Sequence, residues 1–258
     1  YPDTAFVFAN TGEETESTLN FVDQVDKAYG LGVAWLEAAV NPERGKGTSY
    51  TIVDFKSASR KGEPFEEVIK VYGLPNTSYP HCTRELKLNP ITKYTKDIDC
   101  LMAVGIRIDE LDRVNPDYKE KGFCYPLAFW WPTTKQEINR FWKKQPFRLD
   151  APNWATNCKT CYKKSDRKLA WIANQYPGRF DFFERMEAEH SQTNRDYSPD
   201  PIRIFRGHRS VADIRALATT ATEPVDDAQN YEVNGDLFGF DELSYEADAC
   251  GSESCEAF

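Results

Sequence analysis

Short apolar runs alternate along the chain with stretches of helical period, and turn residues punctuate the boundaries. Thr4-Ala5-Phe6-Val7-Phe8-Ala9 is a near-continuous apolar run, the pattern of a strand covered on both faces. It ends in the polar turn Asn10-Thr11-Gly12-Glu13, and a helix is predicted from about Glu14 to Tyr29, stopped by Gly30 and Gly32. Val33-Ala34-Trp35-Leu36 reads as the next strand, residues 41–49 as a loop, and Tyr50–Phe55 as a further short strand. Helices are expected near Pro64–Tyr72 and Arg84–Lys96, and Leu101–Ile106 reads as another buried strand. Thr133 or Thr134 caps a helix to Gln145, with Glu137 completing a capping box in the second case. Helices near Ser165–Gln175 and Asp181–Glu189, a strand-like Ile202–Phe205 and a short helix after Ser210 follow. Strands separated by helices predict an α/β domain with a mostly parallel sheet.

Composition divides this pattern. Residues 1–150 read as the α/β domain, 151–218 as a helical region carrying a Cys-x-x-Cys pair, and 219–258 as an acidic tail. No Lys or Arg follows Arg215, while eleven Asp and Glu lie from Thr219 onward. The tail nevertheless ends in two thiols, Cys250 and Cys255, so its end is expected to return to the body of the protein. A net charge of −9 argues against nucleic-acid binding by bulk charge, without excluding a local basic pocket. No apolar run approaches the roughly 18 residues of a membrane span. With no visible secretory leader and an odd count of seven Cys, the expectation is a cytoplasmic protein with reduced thiols. The chain opens Tyr1-Pro2-Asp3 and enters a strand almost at once, so an upstream segment is expected.

Two cysteine stretches carry the candidate chemistry. His81-Cys82-Thr83-Arg84-Glu85-Leu86-Lys87 sets a thiol beside Arg84 and Lys87, which suits an anionic ligand. Cys158-Lys159-Thr160-Cys161 is a tight thiolate pair suited to a metal or cluster. Ligands of parallel α/β sheets bind at the carboxyl ends of strands. Two polar turns lie there. Thr11, Gly12 and Glu13 leave the first strand and enter a helix, where backbone N–H groups can meet a nucleotide. Arg107 and Arg113 can grip an oxyanion, with Asp109 and Glu110 orienting them or meeting a ribose. The competing reading of these four is a surface ion-pair network. Cys100 and Cys124 read as core or near-core thiols.

Together these motifs resemble the phosphoadenosine phosphosulfate reductase family of the PP-loop (adenine nucleotide α-hydrolase) superfamily, in the style of its bacteriophage members. The resemblance rests on Ala9-Asn10-Thr11-Gly12-Glu13, Cys82-x-x-x-Leu86-Lys87-x-x-Pro90, Gly105-Ile106-Arg107-x-Asp109-Glu110-x-x-Arg113, Tyr125-Pro126-Leu127 and Cys158/Cys161, in the family's order over residues 4–170. It implies a Rossmann-like sheet and an adenine nucleotide as substrate. Three departures matter. The family's pyrophosphate loop is absent and would precede Tyr1. Cluster-bearing members place two adjacent cysteines before a distant pair, whereas this chain has His81-Cys82, with Cys158 lying 76 residues further on. A [4Fe–4S] cluster or zinc on Cys82, Cys158 and Cys161 therefore needs His81, Cys250 or Cys255 as a further ligand. A complete four-thiolate set of Cys158, Cys161, Cys250 and Cys255 is the alternative. Finally, the family's nucleophile lies in Glu-Cys-Gly-Leu-His, and here the match is limited to Cys250-Gly251.

The leading expectation is a sulfonucleotide reductase-like oxidoreductase. Cys250 attacks the sulfur of adenylylsulfate or its 3′-phosphate, Cys255 resolves, and a thioredoxin-like reductant releases sulfite. The alternatives are a PP-loop ATP pyrophosphatase or sulfurtransferase acting on a nucleic acid or small molecule, and a metal-stabilised nucleotide-binding protein without catalysis. Nucleic acid is a partner only in the sulfurtransferase reading; a homodimer is compatible with each.

Overall fold

The computed structural model describes residues 3–156, 158–193, 201–206 and 208–225. The chain clusters into two units. One joins residues 1–97 to 149–224, and the described part of the other is essentially 98–148. The Cys-x-x-Cys segment thus clusters with the N-terminal third of the chain.

In the first unit, β1 (Val7–Asn10) runs parallel to β2 (Ala34–Val40), joined by α1 (Glu16–Tyr29). Thr15 caps α1 by accepting from the Thr18 amide, and Gly30, in the left-handed conformation, ends it. Successive β2 residues Trp35 and Leu36 are both buried, so the strand is covered on both faces. Trp35 packs with Leu19 of α1 and meets Phe8 edge-on. β3 (Thr48–Val53) returns antiparallel to β2, which makes the three-stranded sheet mixed where a mostly parallel one was expected. A turn of only residues 41–47 links the two strands, too short for a parallel crossover.

The larger core lies among helices. α2 (Glu63–Tyr72) contributes Phe65, Val68 and Ile69. These pack with Leu169 and Ile172 of α6 (Asp166–Gln175), Phe183 and Met186 of α7 (Asp181–His190), and Ile214 of α8 (Val211–Leu217). Between α2 and the Cys-x-x-Cys turn, α3 (His81–Thr83) continues through a π-helical turn, Arg84–Leu88, into α4 (Asn89–Tyr94). The sequence pattern suggests one regular helix here. Pro90 explains the difference: it supplies no N–H and crowds the preceding turn, and the Asn89 amide instead reaches the Arg84 carbonyl in a wider turn. The expected strand Ile202–Phe205 is likewise not formed. Phe205 makes a single bridge to Arg209 around Arg206, whose φ is 54°.

In the second unit the expected strand Leu101–Ile106 shrinks to β4 (Met102–Ala103), paired in parallel with β5 (Phe123–Cys124). Leu101 is exposed, so this apolar run lacks the cover on two faces that a buried strand needs. Ile106, Tyr125 and Ala128 form a small core, and Cys124 is buried. Cys100, expected near the core, is exposed. α5 (Lys135–Lys143) starts at Thr134 with the full capping box to Glu137. No helix among the described residues is long and apolar enough to cross a membrane.

Candidate functional site

Three of the motif segments converge in the first unit, around the turn leaving β1. Asn10, wholly buried, donates from Nδ2 to Glu37 Oε1 at 2.6 Å and to the Ser59 carbonyl at 2.9 Å, and accepts from the Gly12 amide. Glu37 also accepts from the Ser59 amide and hydroxyl. The Thr11 amide and hydroxyl donate to the Glu14 carboxylate, at 2.9 and 2.8 Å. Thr11, Gly12 and Glu13 are therefore buried, with the Thr11 hydroxyl engaged inside the protein.

The Cys-x-x-Cys turn docks on this turn through a two-residue antiparallel bridge. Glu14 pairs with Cys158, and the Lys159 amide donates to the Glu13 carbonyl at 2.7 Å. Side chains alternate across such a bridge, giving it two faces. On one, Cys158 Sγ lies 3.7 Å from Thr11 Oγ1 and donates to Glu14 Oε1 at 3.9 Å. On the other, Lys159 Nζ stands 3.5 Å from Glu13 Oε1. Burial raises Glu13 to about 7, and the neighbouring Glu14 adds to the effect against the pull of Lys159. Glu13 Oε2 has no hydrogen-bond partner among the described residues, nor has the buried Thr160 hydroxyl between the two cysteines.

The third segment arrives at Cys82, whose Sγ donates to the hydroxyl of Tyr162 at 3.9 Å, the residue after Cys161. His81 is turned away to the Gly73 carbonyl, to which Nε2 donates at 2.9 Å, and burial lowers it to about 4. Arg84 is exposed and bonded to Glu85 at 2.7 Å. Glu85 itself is buried, accepting from Thr48 and Asn89. Glu85 and Glu37 are structural carboxylates that the motif reading passed over. For Glu37 the available signal was a lone acid inside the apolar run Ala34–Val40.

No group of three or more His, Cys, Asp and Glu among the described residues is arranged to hold a metal ion. Cys82 lies against Tyr162, the residue after Cys161, and the expected cluster or zinc calls for a further ligand beyond the three thiols Cys82, Cys158 and Cys161. Cys250 and Cys255, expected as nucleophile, resolving thiol or further ligands, lie outside the described residues.

In the second unit, Arg107, Asp109, Glu110 and Arg113 are brought together by a 3-10 turn, Ile108–Arg113. Arg107 bonds Asp109 at 2.9 Å and Glu110 at 3.0 Å, and Arg113 bonds the other oxygen of Glu110. The two guanidiniums are thus held by the two carboxylates of their own turn.

No family model matches the chain, and no solved structure matches it. It is 32% identical over 223 residues to the uncharacterized nin region protein ORF290 of Escherichia phage lambda, covering 83% of this chain and 75% of that one. It is also 32% identical over 108 residues to the uncharacterized protein MJ0066 of Methanocaldococcus jannaschii, covering 41% of this chain and 18% of that protein. The first similarity runs through most of both chains, and on that ground this chain belongs to the family of the phage lambda nin region protein ORF290.

Proposed function

We propose that the chain is a cytoplasmic sulfonucleotide reductase-like enzyme, built on a Rossmann-like sheet and acting on adenylylsulfate or its 3′-phosphate. The observation that supports this reading is the approach of Cys158 Sγ to Thr11 Oγ1 at 3.7 Å. A thiol turn and a strand-end turn of the kind that receives nucleotides form one structure, with Cys82 against the same segment through Tyr162.

In this reading the Cys250 thiolate attacks the sulfur of the sulfonucleotide. An S–S bond forms as the S–O bond to the nucleotide breaks, and the adenine nucleotide leaves with the electron pair. A second thiol, Cys255 or a thioredoxin-like dithiol, then attacks the Cys250 sulfur and forms a disulfide as sulfite departs. The sulfur of the substrate is reduced by two electrons, and the two thiols are oxidised.

The test is sulfite release by the full-length protein from each sulfonucleotide, in the presence of a dithiol. Sulfite formed in step with adenine nucleotide supports the proposal. ATP consumption with pyrophosphate release and no sulfite overturns it in favour of the sulfurtransferase reading.

A further inference from the structure

The charged face of the Glu14–Cys158 bridge opens on a cavity of about 590 Å³ in the first unit, a volume within the usual range for small-molecule sites. Its lining is rich in cations, and most already face a carboxyl group. Arg60 bonds Glu16 at 2.9 Å, and Arg185 bonds Glu66 at 2.7 Å. Lys159 faces Glu13, and the acidic lining residue Asp181 is engaged by Arg215. Two cations remain without a carboxylate among the described residues, Lys61 and Arg179. Arg179 lies over the Tyr176 ring at 4.1 Å, and its buried Nη1 has no hydrogen-bond partner among the described residues. Burial lowers its affinity for the proton, the mark of a cation short of solvation. The wall also includes Phe182 and the almost fully buried Glu13.

We propose that this cavity binds the phosphate monoester of a small organic molecule, with the phosphate between Lys61 and Arg179 and the organic part against Phe182. Two uncompensated cations match a dianion, and a planar guanidinium suits its oxygens. The volume exceeds what a bare phosphate fills, and the aromatic wall offers cover to an apolar group. This site stands on the opposite face of the bridge from Cys158 and does not depend on the sulfonucleotide reading.

Phenyl phosphate is the probe, because it carries a phosphate dianion and an apolar ring but no adenine. Titration calorimetry on the full chain should give saturable binding, tighter than inorganic phosphate and tighter than the monoanion benzenesulfonate. Lys61→Gln and Arg179→Met should each weaken phenyl phosphate at least tenfold, while Lys27→Gln on α1 leaves it unchanged. Lys61 is exposed, so its variant keeps the test valid if Arg179→Met fails to fold. Affinity unchanged in both cavity variants, or no discrimination against benzenesulfonate, overturns the proposal. A 5′-phosphorylated oligothymidylate that binds more tightly than phenyl phosphate and loses affinity in the same variants overturns the small-molecule assignment in favour of nucleic-acid phosphate.

Discussion

The Gly12 carbonyl accepts a hydrogen bond from the Gly62 amide at 3.0 Å, and neither residue has room for a side chain. A Cβ on Gly12, at φ +80°, would meet the Gly62 backbone at 3.0 Å, and one on Gly62 would enter the Phe182 ring. This contact brings the Arg60–Lys61 segment to the turn leaving β1. Gly12→Ala is expected to cost about 2–4 kcal/mol in urea unfolding, combining a left-handed backbone with a collision against main chain. Gly30→Ala is the control. Its φ is +60° with open space around it, so it should cost only about 1 kcal/mol. Equal losses would mean that the close approach of the two glycines carries no strain of its own.

Stability should depend on pH through Glu13. Its native value is about 7 against an ordinary 4.5. Between those values folded Glu13 keeps a proton that the unfolded chain has released, so its own contribution falls as pH rises through this window and levels off above it, while His81, lowered to about 4 by burial, contributes the opposite slope between about 4 and 6.5. Glu13→Gln should remove part of that slope and be more stable than the parent at about pH 8, by roughly 2–3 kcal/mol at most. Burial raises Glu187 in the same sense, so some slope remains. Unfolding curves across the window decide the matter, and a slope identical to the parent's would refute the role given to Glu13.

Within residues 98–148, Glu110 holds Arg107 and Arg113 together with its two oxygens. Glu110→Gln keeps the shape and removes the charge that both largely buried guanidiniums share. The expected loss is about 2 kcal/mol of local stability, read as faster hydrogen exchange in this segment. Exchange unaffected by the change would mean that the pairs add little, as exposed pairs do.

For the proposed reaction, Cys250→Ser should lower sulfite release by roughly 10³-fold or more, because loss of a nucleophile removes the covalent route. Cys255→Ala should instead preserve single-turnover formation of the S-sulfonate and slow its reduction. Full activity in Cys250→Ser would sink the mechanism.

Helices were the most legible part of the fold. The boundaries at Gly30, Thr134 and Ser165 follow from caps that act locally, and the structure has helices starting or stopping at each. Strands were less legible, because pairing depends on distant chain. Leu101–Ile106 is apolar enough for a buried strand, yet only Met102 and Ala103 find a partner. The antiparallel return of β3 was equally hidden, since an apolar run does not disclose its direction. In the site, residue types pointed to the turn at Thr11 and to Cys158, but not to their contact. Glu14, which binds Thr11, looks like any other acid in the sequence, whereas Glu37, which binds Asn10, is marked by its apolar neighbours in Ala34–Val40.

The bridge between Glu14 and Cys158 joins residues 144 apart in the chain, and this fixes when the site can exist during synthesis. Translation delivers Thr11, Glu13 and Glu14 first, and the segment that covers them comes only after residues 98–148 have been made. Until then two carboxylates destined for burial must stay in water, and the helices of α6 to α8, which complete the main core, are still absent. Folding of the first unit is therefore expected to finish only after residues 149–217 have left the ribosome. A stop codon placed before Cys158 should yield an insoluble fragment rather than a smaller working domain.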